Sequence, residues 1–214
     1  MAQAAPTAFE PRKSPVQARS TVTVEAIYEA TIQVLLSQGA ERLTTTRVAE
    51  RAGVSVGTLY QYFPNKQSLL FAVLEAHINR VSEAVETTCE RARGKPLAEM
   101  VKQVVEAFVD VKMERADIST ALYRIATGIG GPALVRRAAL RMQRALRMAL
   151  STAPDAVLRQ EEFAIQMVFA AMAGATRSVL EAGASPAMVQ NLRHHLVLLC
   201  QSYMLAATRT RSRR

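Results

Sequence analysis

Residues 45–66 bring close together in sequence the hydroxyls of Thr45, Thr46, Ser55 and Thr58, the phenols of Tyr60 and Tyr62, and the ammonium of Lys66. All of these groups can donate hydrogen bonds without an unusual ionisation state. Catalysis has no comparable constellation. The three histidines, His77, His194 and His195, have no carboxylate or cysteine partner at metal-ligand spacing, and His194 and His195 would diverge by about 100° on a helix. No nucleophile motif is present, so the chain reads as a binding protein, not an enzyme, and no metal or cofactor is implied. The two cysteines, Cys89 and Cys200, form no CxxC pair, which suggests neither a disulfide framework nor a zinc site and fits a reducing cytoplasm.

Apart from Thr45 and Thr46, which lie just before it, this donor set lies on the stretch VAERAGVSVGTLYQYFPNKQSL, whose punctuation predicts short helices. Thr44 or Thr45 is a good N-cap for a helix running to Ala52, and Gly53 stops it in the left-handed conformation that glycine takes cheaply. Ser55 caps the next helix, which must end near Phe63 because Pro64 pushes the residue before it out of helical geometry. Asn65 then caps a further helix. Two short helices joined by a glycine turn make a helix-turn-helix unit, whose second helix can lie in the major groove of DNA. Val48, Val54 and Leu59 supply the apolar face between them, and Ala49 is small where they approach. Thr58, Tyr60, Gln61 and Tyr62 are left for the outer surface.

The rest of the 214-residue chain also carries the helical period, with 50% apolar residues and a mean hydropathy of +0.06, ample for a packed core. An all-α protein is predicted, with helices over Thr23–Gln38, Lys66–Arg93, Pro96–Arg115, Asp117–Thr127, Pro132–Ser151, Pro154–Glu181 and Pro186–Ala207 besides the two short ones. A net charge of +9 and a pI of about 10.1 favour a polyanionic partner. Residues 1–19, with Pro6, Pro11 and Pro15 and the cations Arg12, Lys13 and Arg19, read as a flexible basic arm without the apolar core of a signal peptide. Residues 208–214 read as a frayed basic tail, and no run is expected to approach the roughly 18 apolar residues of a membrane span.

The segment TTTRVAERAGVSVGTLYQYFPNKQSLL resembles the DNA-binding segment of the tetracycline-repressor-like (TetR) family of transcriptional regulators, a likeness covering residues 20–75. It implies an N-terminal three-helix DNA-binding domain over 20–66 and a C-terminal helical effector-binding and dimerisation domain over 67–207. It also implies roles on double-stranded DNA for Thr45, Thr46, Arg47, Ser55, Val56, Gly57, Thr58, Tyr60, Tyr62 and Lys66. Thr45 and Thr46 would offer hydroxyls and free amides at a helix start, while Tyr60, Tyr62 and Lys66 clamp phosphates at the groove edge. Family members often carry a long polar residue where this chain has Val56. Base recognition would therefore fall to thymine-methyl contact by Val56 and Thr58 and to backbone approach at Gly57. Arg47 and the arm residues would compensate, the arm by entering a minor groove.

One helix-turn-helix unit covers little DNA, so a homodimer on a palindromic operator is expected. Leu192, Leu196, Leu199, Tyr203 and Ala206 recur at steps of four and three, and Ala170, Ala171, Gly174, Ala175 and Ser178 form a small-residue face; the resemblance implies that these two helices pair with their twins. Met100, Phe108, Met113, Tyr123 and Met142 are adaptable residues suited to an apolar effector in the intervening helices. Between Asp117 and Asp155 there is no acid, while Arg136, Arg137, Arg141, Arg144 and Arg147 take one side of a helix opposite Val135, Ala139, Met142, Leu146 and Leu150. Such a basic amphipathic helix is either a solvated face or a surface for an anionic effector or membrane. The function expected is a ligand-responsive repressor in the cytoplasm, released from its operator by a small molecule. The alternative is a basic architectural or membrane-surface protein without sequence-specific regulation.

Overall fold

The computed structural model describes residues 18–158 and 161–210. Their helices are α1 (Ala18–Arg42), α2 (Thr45–Ala52), α3 (Val56–Tyr62), α4 (Lys66–Ala92), α5 (Leu97–Glu114), α6 (Ala116–Ala126), α7 (Gly131–Leu150), α8 (Glu161–Glu181) and α9 (Pro186–Ala206). A single turn of 3-10 helix, Thr127–Ile129, precedes α7, and two three-residue strands, β1 (Ala156–Leu158) and β2 (Thr208–Thr210), pair antiparallel with Val157 opposite Arg209. The fold is all-α as expected, with this short ladder as its one addition among the described residues. Arg12 and Lys13 lie outside those residues, as does the tail from 211 onward. Arg19 lies within α1.

Contacts divide the chain into two compact units. The first holds the described residues up to His77 together with Ala121–Leu134; the second holds Ile78–Thr120 and the residues from Val135 on. In the first unit Ile27, Leu43, Val48, Leu59, Phe63 and Leu69 are fully buried and knit α1, α2 and α3 to the start of α4. Tyr28 packs against Phe63 with ring centroids 5.8 Å apart. Burial, reinforced by Glu75, pushes the Tyr28 phenol up to about 12. Gly131 begins α7 where a Cβ would meet the Ala126 carbonyl oxygen at 2.6 Å, so the connection from α6 tolerates only glycine there.

In the second unit α5 packs against α8 and α9. Met100, Val105, Leu146, Ile165, Met172 and Met204 lie in its core. The helix expected from Pro154 begins instead at Glu161. Asp155 has other work: its Oδ1 accepts the Leu97 N–H at 2.9 Å, while Thr152 Oγ1 accepts the Gly94 N–H at 2.8 Å. Pro96, at the N-cap of α5, makes no side-chain capping bond, so residues distant in the chain satisfy these orphan donors. The segment after α7 is thereby held extended and pairs with the residues following α9, which corrects the expectation of a frayed tail at Thr208–Thr210.

A second correction concerns α8, which reaches the length and composition of a membrane span, with a mean hydropathy of 1.4 over its most apolar window. Ile165, Val168, Phe169 and Met172 are packed inside the unit, as in the core helix of a globular domain. Both cysteines are buried, and burial pushes Cys89 up to about 12 and Cys200 up to about 11, so neither is a ready thiolate.

Candidate nucleic-acid interface

The helix-turn-helix is assembled by local hydrogen bonds. Thr44 is the N-cap of α2, its side chain accepting the Arg47 N–H, and Gly53 ends the helix at φ 68°, ψ 28°, its N–H returned to the last-turn carbonyls. Ser55 caps α3: its Oγ accepts the Thr58 N–H at 2.9 Å and lies 2.8 Å from Thr58 Oγ1. Phe63 closes α3 in extended geometry before Pro64. Asn65 and Ser68 then cap α4 reciprocally, with Asn65 Oδ1 accepting the Ser68 N–H at 2.8 Å and the Ser68 hydroxyl donating to the Asn65 carbonyl at 2.8 Å.

The phosphate-donor candidates are joined across helices. Tyr60 Oη lies 3.1 Å from Thr45 Oγ1, tying α3 to the first residue of α2. Tyr62 Oη lies 3.1 Å from Ser20 Oγ, tying the end of α3 to the start of α1. Lys66 Nζ donates to the Ala40 carbonyl at 2.6 Å, which leaves two ammonium protons for other acceptors. These pairs hold the last turn of α3, while the Ser55 cap holds its start. Thr46, Arg47, Ser55, Gly57 and Tyr60 are exposed, while Thr45, Val56, Thr58, Tyr62 and Lys66 are half-buried. Leu59 and Phe63 face the core, at 0% and 1% exposure. Ser20 is a member of the cluster that sequence reasoning missed. Only its hydroxyl type and its place at the start of the first helix could have pointed to it, because 42 residues separate it from Tyr62.

Arg47 is placed differently from the expectation that it supplements base readout. Its Nη1 donates to Gln38 Oε1 at 2.8 Å and to the Arg42 carbonyl at 2.7 Å, and Arg51 Nε likewise reaches Gln33 Oε1 at 2.6 Å. Both guanidiniums line a groove of about 410 Å³ between α1 and α2. The carbonyls at the end of α1 are acceptors left free by the helix, and Arg47 satisfies one of them.

In the second unit, the residues expected on a dimer face separate. Leu192 and Leu196 turn into the chain's own core, at 7% and 2% exposure, whereas Leu199 and Tyr203 are exposed. The four-and-three stripe therefore runs obliquely across α9. Leu198 and Leu205, at 54% and 50% exposure, belong to its outer face instead. On α8, Ala170, Gly174 and Ser178 are exposed and Ala171 is half-buried, flanked by exposed Phe163 and Met167. Of the effector candidates, Met100, Phe108 and Met142 are buried in the second unit and Met113 is half-buried there; Tyr123 falls in the first unit. Lys112, on α5 beside these, is 7% exposed, and burial pushes its ammonium down to about 8.

Residues 27–73 match the bacterial regulatory proteins of the tetR family, and residues 96–204 match the tetracyclin repressor-like C-terminal domain. The chain belongs to the tetR family. This tetR-family chain is accordingly a DNA-binding transcriptional regulator. It is 31% identical over 105 residues to the nucleoid occlusion factor SlmA of Haemophilus ducreyi, a match covering 49% of each chain. It is 44% identical over 70 residues to the HTH-type transcriptional repressor KstR of Mycolicibacterium smegmatis, covering 33% of this chain and 34% of that one. The chain thus spans about half the length, or less, of the curated relatives it matches. Among solved structures it is similar to a TetR transcription regulator of Haloarcula marismortui, with a TM-score of 0.71 and 17% identity over 88% of this chain and all of that one. The fatty acid degradation regulator FadR of Bacillus halodurans is also similar, with a TM-score of 0.66 and 17% identity over 94% of this chain and all of that one. Likeness at such identity establishes the fold alone.

Proposed function

We propose that this regulator is a ligand-responsive repressor that binds a two-fold operator as a homodimer and leaves it when a small-molecule effector binds. The observation carrying the DNA reading is α3 capped at its start by Ser55 and tethered in its last turn by the Thr45–Tyr60 and Ser20–Tyr62 hydroxyl pairs, each capable of turning toward a phosphate oxygen. Thr45, Thr46, Ser55, Tyr60, Tyr62 and Lys66 would hold the backbone, and Val56, Gly57 and Thr58 would meet the bases. Residues 20–66 form the reading head and 67–207 the effector and dimerisation domain. Repression agrees with the name of the relative KstR.

The exposed apolar faces of α8 and α9, with Phe163, Met167, Leu198 and Leu199, would pair with their counterparts in a second copy. Met100, Phe108, Met113 and Met142, all in the second unit, would line the effector site and favour an apolar ligand, while Tyr123, in the first unit, is left out of it. Ligand and operator would select different conformations of one dimer, so that occupancy of one site lowers affinity at the other. The protein would work in the cytoplasm, where its DNA lies.

The test is a fluorescence-anisotropy titration against DNA flanking the protein's own gene and against a scrambled duplex, at low and high salt. Tighter binding to the flanking DNA that persists at high salt is expected. Equal, steeply salt-dependent binding to both would mean that charge, not the reading head, dominates, and would overturn recognition of that operator.

A further inference from the structure

Helix α7 presents to solvent a face whose composition the sequence pattern does not fully disclose. From Arg136 to Met148 the outward arc carries Arg136, Arg137, Leu140, Arg144, Arg147 and Met148, all within about 120° of the helix circumference by the 3.6-residue period. Leu140 is 60% exposed and Met148 47%, each flanked by arginines, while Ala138, Met142, Leu146 and Ala149 hold the opposite side in the core. Arg141 is engaged within the unit: its Nη2 and Nε reach both Glu86 carboxylate oxygens at 2.8 and 3.1 Å, and its Nη1 reaches Asn79 at 3.1 Å. Arg136, Arg144 and Arg147 have no such acid among the described residues. No aspartate or glutamate occurs anywhere on α7.

We propose that this face of α7 is a docking surface for an anionic phospholipid bilayer, Arg136, Arg144 and Arg147 pairing with headgroup phosphates while Leu140 and Met148 enter the boundary with the acyl chains. Charge complementarity sets the sign of the partner: a helix face without an acid, carrying three unneutralised guanidiniums, seeks phosphate. The interleaved apolar side chains choose among phosphate-bearing partners. A DNA backbone rewards only the cations and leaves Leu140 and Met148 in water, whereas a lipid interface rewards both and accepts a helix lying in its plane. The arginine stems can cover apolar surface with their charged heads extended to the phosphates. Because the helix is already folded on its inner side, docking would not have to order it.

The measurement is flotation of the full chain with vesicles of phosphatidylcholine alone and of phosphatidylcholine mixed with phosphatidylglycerol, paired with binding to a non-specific DNA duplex. Wild-type protein should float with the mixed vesicles only. Arg136→Gln/Arg144→Gln/Arg147→Gln should lower the partition coefficient by roughly a hundredfold, about fivefold for each cation removed from the surface. Leu140→Ser/Met148→Ser keeps every charge and should lower it on the order of tenfold with duplex binding unchanged. All these side chains are solvent-facing, so unchanged circular dichroism and melting temperature should accompany both variants. Lipid binding unaltered by the arginine substitutions would place it on the basic termini and overturn the proposal. Unaltered binding by the serine variant would reduce the surface to a general phosphate patch and overturn the bilayer assignment. Loss of duplex binding in the arginine variant without vesicle binding in the wild type would make the face a DNA contact instead. No outcome depends on an operator or an effector, so failure here is separable from failure of the repressor reading.

Discussion

Ser55 offers the sharpest test of how α3 is held and what it faces. The helix has seven residues, too few to persist alone in water, and its N-cap is the Ser55 hydroxyl accepting the Thr58 N–H at 2.9 Å. Ser55→Ala removes that acceptor and should cost about 1 kcal/mol, the usual worth of an N-cap, a change of roughly 2–4 °C in melting temperature for a chain of this size. The loosened first turn carries Val56, Gly57 and Thr58, so it must be re-formed on DNA, and affinity should fall about fivefold for the same 1 kcal/mol. Ser55→Asp separates the two effects. Aspartate caps as well as serine and keeps the melting temperature, but it brings a carboxylate to a surface read here as facing phosphates. Its affinity should fall at least about tenfold, most severely at low salt. Thermal denaturation followed by circular dichroism, with anisotropy at two salt concentrations, checks both. An aspartate variant that is stable and binds DNA as the wild type does would refute the placement of Ser55 toward the backbone. An alanine variant of unchanged stability would refute the capping account.

Tyr60→Phe removes the hydroxyl paired with Thr45 at 3.1 Å and should weaken binding to all sequences alike, roughly three- to tenfold, whereas Val56→Lys should change which sequence is preferred; equal relative affinities for Val56→Lys over a base-substituted panel would sink the second claim. Leu198→Glu places a charge at a position 54% exposed in the single chain, so sedimentation at micromolar concentration should show a dimer becoming a monomer whose fold is retained; a variant that stays dimeric would exclude this face. Lys112 titrates at about 8 when folded, against 10.5 for an unperturbed lysine, because burial disfavours its charge. Between those pH values the unfolded chain binds a proton that the folded chain does not, so this group's contribution to stability rises with pH by about 3 kcal/mol. The advantage of Lys112→Met over the wild type should shrink by that amount from pH 8 to 10.5, and a pH-independent difference would contradict the burial account. Cys89 and Cys200 act in the opposite sense above pH 9, since their raised thiols stay protonated in the fold, but they contribute equally to both proteins and cancel in the difference.

Much of this protein is decided locally and was legible as such. Gly53, Ser55, Pro64 and Asn65 set the limits of the short helices through bonds spanning three or four residues, so the helix-turn-helix followed from the order of residue types. Its inward positions, Val48, Ala49 and Leu59, follow from the helical period for the same reason. What lies beyond the next turn of chain was not legible. Ser20 meets Tyr62, and Arg47 turns back to Gln38, because separate helices happen to bring a donor to an acceptor. Asp155 leaves its own segment without a helix start because the amide of Leu97, 58 residues away, has no nearer cap. On α9 a period of four and three could not tell Leu196, buried in the chain, from Leu199, open to a partner, and on α7 it could not show Leu140 and Met148 standing among the arginines. Periodicity reports that a helix has an apolar side. Which neighbour covers that side, and where its edge falls, depends on packing between elements distant in the chain, and that is settled only when the tertiary structure forms.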